Sequence, residues 1–181
     1  VASTLFVYNR EEVVEAYGLV QYLLSIGMIG FPLFSFASSA IALRFFPYFE
    51  DKPSGHHGFL TILLGLSLFG WTVCAGVALF FWETIKSLVA EDSQVHQEYL
   101  WVAFPLTLLY TLATVFVQYA ANLKRIVVPS LLFDFSLKLA LPSFLVALWL
   151  GWLDLPVVLK LLLLHFSLVT IALVVYLHVM G

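Results

Sequence analysis

The chain has 181 residues, of which 62% are hydrophobic, 17% aromatic and 10% charged, with a formal net charge of -3. Soluble domains run near 25% charged residues, so a water-soluble globular domain is excluded, and the negative balance argues against nucleic acid as a partner. With a mean hydropathy of +1.03, the useful unit is the ~20-residue helix that crosses a bilayer core of about 30 Å, and the expected fold class is an all-α, polytopic membrane helix bundle.

Residues 1–8 are apolar but too short to span, and read as the stub of a helix whose start is missing. Val1 in place of Met and the abrupt end at Gly181 make the chain read as a piece of something longer, and no signal peptide is visible. Glu11, Glu12 and Glu15 suit the positive end of a following helix dipole. The next element, about 16–43, is long enough to cross with tilt; its Gln21, Ser25, Pro32, Ser35 and Ser39 fall near one stripe, which expects protein or a cavity opposite them. Proline and glycine then break the chain into a loop that carries His56 and His57. An adjacent histidine pair without companions reads as solvated loop rather than a metal site.

The third element, about 59–82, has Thr61, Gly65, Thr72 and Gly76 on one side, a pattern that expects close helix packing there. Cys74, the single cysteine, reads as small core packing. Residues 83–98 carry four acids against Lys86 and read as the longest extramembrane loop, flanked by Trp82, Tyr99 and Trp101 as interfacial anchors. The fourth element, about 99–121, places Thr107, Thr111, Thr114, Gln118 and then Asn122 at helical spacing, a continuous polar stripe that must face neighbours or water.

The fifth element, about 127–150, holds Ser130, Asp134 and Lys138 at four-residue spacing, with Pro142 as a kink. A charge near the middle of a membrane helix costs roughly 2.5 to 3.5 kcal/mol, so Asp134 and Lys138 need a reason to be there. One reason is mutual neutralisation as an i,i+4 ion pair; the other is function. The sixth element, about 155–178, carries His165 near mid-span, either a hydrogen-bonded packing residue or a proton relay.

Lysine and arginine bias sets orientation. Arg10 and Lys86 lie on one side and Arg44, Lys52, Lys124 and Arg125 on the other, which is therefore expected to be cytoplasmic. Arg44, Lys124 and Arg125 can also serve there simply as attraction points for anionic membrane lipids.

The run Tyr17-Gly18-Leu19, then Ile41 to Phe49 (IALRFFPYF), then His57-Gly58-Phe59, and later Lys124-Arg125-Ile126-Val127-Val128-Pro129 with Lys138 beyond it, resembles the bacterial polysaccharide-export flippases. These are O-antigen and capsule type flippases of lipid-linked oligosaccharide, in the superfamily that includes multidrug and toxin extrusion transporters. The resemblance implies a single membrane domain over 1–181 that forms most of one six-helix lobe, with a second lobe of the same chain as its missing partner. It implies flipping of an undecaprenyl-diphosphate-linked glycan across a bacterial inner membrane by alternating access; no cofactor is expected, and H+ and Na+ are the candidate coupling ions, between which the sequence does not choose.

Diphosphate needs cations, and Arg44, Lys124, Arg125 and Lys138 are candidates for it. Gln118 and Asn122 are candidates for a hydrogen-bonding wall beside the glycan, and Asp134 for holding Lys138 ready or carrying the coupling ion. A cation-coupled drug antiporter of the same fold is the alternative. A membrane-embedded glycan polymerase would need a cluster of convergent catalytic groups that the sequence does not display.

Overall fold

The computed structural model describes residues 11–48, 58–90 and 94–180. The described residues are almost entirely helical, with no strand among them. Where no water reaches the backbone, a helix satisfies each N–H and C=O within its own segment. Five helical runs are long and apolar enough to cross a membrane: Val13–Phe34, Phe59–Phe80, Val95–Asn122, Val127–Trp149 and Leu155–Val179. The stub expected at 1–8 and the pair His56 and His57 lie outside the described residues.

In chain order the helices are α1 (Glu11–Phe34), α2 (Ser38–Phe45), α3 (Phe59–Phe80), α4 (Trp82–Ala90), α5 (Gln94–Tyr99), α6 (Ala103–Asn122), α7 (Val127–Ser130), α8 (Ser136–Trp149) and α9 (Leu155–Met180). A π turn, Leu131–Phe135, joins α7 to α8 within one span. The bundle is built around α6, which packs on α1, α2, α3 and α9. In an 18-residue stretch of the span Val95–Asn122, 44% of residues are buried, against 6% in Val127–Trp149, so α6 is central and α8 peripheral. The core joins Leu19 and Leu23 of α1, Leu106, Ala113 and Phe116 of α6, and Leu162, Phe166 and Leu173 of α9. Lipid tails are as apolar as leucine, so close van der Waals fit and internal hydrogen bonds hold these helices together.

Three expectations are corrected. The element expected at 16–43 is not one helix: it breaks at Ser35-Phe36-Ala37, where Phe36 (φ 46°) and Ala37 (φ 60°) are left-handed. Pro32 has already removed the N–H that would bond the Met28 carbonyl. The Phe36 N–H tightens onto the Leu33 carbonyl at 3.1 Å, and the Ser38 N–H onto the Ser35 carbonyl at 2.9 Å. A bulky residue at positive φ is a strained conformation that its surroundings must hold. Here α3 holds it: buried Ser67 lies 3.0 Å from the Oγ of buried Ser38 and 2.9 Å from the Leu63 carbonyl.

The small-residue side of α3 does not pack within the described structure. Thr61, Gly65, Thr72 and Gly76 are exposed, and α3 enters the core through Phe59, Leu63, Ser67 and Gly70 instead. Of the stretch expected as an acidic loop, the described residues form two short helices, α4 and α5, while Glu91 and Asp92 lie outside the described residues. Ile85 and Val89 fall on the covered side of α4, while Glu83, Thr84, Ser87 and Leu88 are exposed, so α4 lies against the bundle as an amphipathic helix.

Candidate functional site

Lys138 is the central residue of the 23-residue span Val127–Trp149, and Asp134 sits one turn toward Val127. Both side chains are exposed, on a face whose other members are Leu131, Phe135 and Leu139. The Asp134–Lys138 ion pair, one of the two readings of these charges, does not form. Among the described residues the salt bridge is Lys86–Glu83 at 3.8 Å, and neither Asp134 nor Lys138 joins one.

A π turn, Leu131–Phe135, precedes Lys138. It contains Asp134 and ends three residues before Lys138. π turns are rare and recur as single-turn insertions at functional positions. This one is fixed from both sides. Phe133 turns inward and forms an aromatic triangle with Tyr110 of α6 (5.4 Å between centroids) and Phe166 of α9 (6.1 Å), the third side being 6.0 Å. Ser136, just past the turn, donates its hydroxyl to the Leu132 carbonyl. The same Oγ lies 3.3 Å from His165 Nε2. With the single hydroxyl proton given to Leu132, a hydrogen bond across this contact has the Nε2–H of His165 as its donor. His165 is thus tied to the turn by a hydrogen bond.

Tyr110 lines the inner side of the turn, where Phe133 packs on it. α1 approaches the same ring: a β-carbon on Gly27 would stand 3.3 Å from Tyr110 Cγ. From α1, Ser25 is exposed and Gln21 half-buried, while Ser35 is buried, so the stripe read there divides between surface and core.

The stripe on α6 faces the bundle. Thr107 and Thr111 are buried, and Thr114, Gln118 and Asn122 are half-buried. Thr107 Oγ1 accepts from the indole of Trp71 at 3.1 Å and donates to the Phe104 carbonyl, and Thr114 donates to the Tyr110 carbonyl at 2.8 Å. Threonine satisfied by its own helix is ordinary packing. The lower part of the stripe differs. The Thr111 hydroxyl, Gln118 Oε1 and Asn122 Nδ2 are buried without a hydrogen-bond partner among the described residues. An unpaired buried polar atom costs about 1 to 3 kcal/mol, and a bound hydroxylated or hydrated species would remove that cost.

Arg44, Lys124 and Arg125 are exposed and occupy one end of the bundle. Phe46, just past Arg44, meets Tyr119 at 6.0 Å and Phe59 at 6.1 Å, which brings the end of α2 beside the end of α6 and the start of α3. The Arg44 guanidinium lies 5.9 Å from the Phe45 ring centroid. Lys124 (φ 59°) is the left-handed residue of a helix-ending turn, with its N–H on the Ala121 carbonyl (2.9 Å) and the Arg125 N–H on Ala120 (3.0 Å). The structure therefore gathers these three cations with Asn122 at one end, and sets Asp134 of the π turn and Lys138 of α8 apart from them at mid-span.

Two features had no clear sequence signal. The π turn changes no hydrophobic period, and Tyr110 reads as one more core aromatic. A third was half visible. At the end of the bundle opposite Arg125, Trp82, Lys86, Gln97, Glu98 and Trp101 frame a cleft of about 300 Å³. An apolar cavity of about 290 Å³ adjoins it at Trp82. The sequence marks the tryptophans as interfacial, but nothing in it foretells that α4 and α5 fold back to enclose a space.

No known protein family, no curated protein and no solved structure matches this chain.

Proposed function

We propose that the protein moves an amphipathic anionic substrate across a membrane, a lipid-linked oligosaccharide carried on a prenyl diphosphate, by alternating access. The observation that carries this reading is the unpaired, exposed Lys138 at the centre of a membrane span, one π turn from an equally unpaired Asp134. Lipid does not solvate such charges, so the face they occupy borders water or substrate. Diphosphate supplies the counter-charge that Lys138 lacks.

The rest of the arrangement supports the same reading. Arg44, Lys124 and Arg125 at one end form the entry for the diphosphate, on the side that the positive-inside rule makes cytoplasmic. Gln118 Oε1 and Asn122 Nδ2, buried and unpaired, suit the hydroxyls of a glycan. The break at Phe36 and Ala37 gives α1 and α2 a joint at which one can move against the other. The inner membrane of a bacterium is the location that such a substrate implies.

A second reading rests on the free Asp134. A carboxylate released from its lysine can carry a proton or sodium ion, which suits a cation-coupled antiporter of amphipathic cations. The two readings separate on Lys138: a cationic drug gains nothing from it, whereas an anionic lipid needs it. The test is the leaflet distribution of lipid-linked oligosaccharide in cells lacking the protein. Accumulation on the cytoplasmic face, reversed by complementation, supports the flippase reading; unchanged distribution in a strain with no redundant flippase moves the assignment to the antiporter.

A further inference from the structure

The cleft framed by Trp82 and Trp101 and the apolar cavity beside it share Trp82, and their chemistry is complementary. The cavity lies within the thickness of the spans, between α1, α3 and α6, and runs from Phe34 and Trp71 near mid-span up to Trp82 and Ile85. Trp71 and Trp82 are eleven residues apart along α3 and into α4, a rise of about 16 Å at helical pitch. Its walls are almost wholly apolar, since the Trp71 indole and Thr107 hydroxyl satisfy each other. At about 290 Å³ it sits at the lower edge of the roughly 300 to 1,000 Å³ typical of ligand pockets, room for part of one hydrocarbon chain.

The cleft begins where the span ends. Trp82 forms the boundary: its ring packs 5.6 Å from Phe104 of the cavity wall, and Lys86 Nζ stands 5.4 Å from the same ring's centroid on the cleft side. Lys86 is held there by this cation–π contact and by Glu83, with a third of its side chain still open. Gln97 and Glu98 add hydrogen-bonding groups, and Trp101 gives a second, exposed indole face. A chain-wide apolar slot that opens at membrane-interface level onto a cation, an amide, a carboxylate and two indoles is the shape of an amphiphile.

We infer that these two spaces form one binding site for an anionic amphiphile, with a hydrocarbon chain in the α1/α3/α6 cavity, a phosphate at Lys86, and head-group hydroxyls at Gln97 and Glu98. The charge arrangement selects the head: Lys86 pairs with a phosphate, while Glu98 beside it accepts hydrogen bonds from hydroxyls and disfavours a second anionic group. A hydroxylated glycerophospholipid and a glycosylated polyprenyl phosphate share that chemistry. The site is at the opposite end of the bundle from Arg44, Lys124 and Arg125, so its occupancy does not depend on whether the protein transports anything.

Cys74 provides the readout. It is the chain's single cysteine, half-buried, and lines the cavity. The protein in phosphatidylcholine nanodiscs is titrated with phosphatidylglycerol, with glycosylated polyprenyl phosphate, or with uncharged polyprenol, and the rate of Cys74 alkylation by a membrane-permeant maleimide is measured. At least one phosphorylated lipid is expected to slow alkylation about tenfold, and which of the two does so identifies the source. Lys86→Gln is expected to raise the concentration needed for protection about tenfold for the phosphorylated lipid and to leave any effect of polyprenol unchanged. Ala78→Phe, which fills the cavity, is expected to abolish protection while the protein still elutes as one species. A rate that no lipid alters overturns the site, and protection by polyprenol equal to that by the phosphorylated lipids, or unaffected by Lys86→Gln, overturns the assignment of the head.

Discussion

Gly70 of α3 lies directly under the break in the first span: a β-carbon at Gly70 would stand 2.7 Å from the Phe34 carbonyl oxygen and 2.8 Å from the Phe36 β-carbon. Gly70 is eleven residues from the start of α3 and ten from its end, so the two left-handed residues sit at mid-span. Non-helical backbone at that depth is tolerated only where protein covers it or water reaches it. The absence of a side chain on Gly70 lets α3 cover the Phe34 side of the break, and Ser67 reaches Ser38 on the other side.

Gly70→Ala is accordingly expected to destabilise the protein, by about 1 to 3 kcal/mol, since backbone rather than a flexible side chain must give way. Gly65→Ala and Gly76→Ala, where a β-carbon meets nothing within 4 Å, are expected to leave stability unchanged or slightly improved. Thermal unfolding in detergent, compared across the three variants, checks this. Equal midpoints for all three would show that the break does not depend on α3.

The Ser38–Ser67 contact is a second support for the same break. One proton from Ser67 to the Leu63 carbonyl and one from Ser38 to Ser67 satisfy both hydroxyls. A double-mutant cycle with Ser38→Ala and Ser67→Ala is expected to return a coupling of about 0.5 to 1.5 kcal/mol. Additive effects of the two substitutions would dissolve the proposed pairing.

Lys124 pays a conformational cost at the end of α6. Its φ of 59° is the value that glycine adopts freely, as Gly151 does at φ 73° where α8 ends in the same kind of turn. Lys124→Gly is expected to raise stability by about 1 kcal/mol. If transport falls in that stabilised variant, the lysine's charge has a use at the basic end beyond structure; unchanged transport would assign Lys124 to membrane topology alone.

Much of this architecture is legible in the sequence, for identifiable reasons. The spans at 59–82, 127–150 and 155–178 are visible because twenty apolar residues have few other uses, and the stripe from Thr107 to Asn122 keeps helical spacing over four turns. The break at Ser35 to Ala37 is not legible. It contains no glycine, Pro32 is its one local hint, and it depends on Gly70 and Ser67, which come from another helix. The face of α3 was misread because small residues at helical spacing fit a packed seam and an exposed one equally. The stretch 83–98 was read as loop because its acids stand out, although Ile85 and Val89 at four-residue spacing mark a helix. The π turn that contains Asp134 is not legible either: it is held by Phe133, Tyr110, Phe166 and Ser136, partners that no local pattern foretells.

The mid-span charges give the mechanism its sharpest expectation. Lys138→Ala is expected to reduce transport of the anionic lipid at least tenfold with normal expression, and Lys138→Arg to retain part of it, because the requirement is for a cation at that depth. Asp134→Asn is expected to change the dependence on the ion gradient while substrate affinity is kept. Normal transport by well-expressed Lys138→Ala would remove Lys138 from substrate contact.

The most direct measurement is transbilayer movement in vesicles containing the purified full-length protein: a fluorescent oligosaccharide on a prenyl diphosphate, with a membrane-impermeant reagent that destroys the fluorophore in the outer leaflet. Label is expected to become accessible many times faster than in protein-free vesicles, and Lys138→Ala to return the rate to the protein-free level. Movement no faster than in protein-free vesicles, with the wild type correctly inserted and an ion gradient of either H+ or Na+ applied, would contradict the proposed transport.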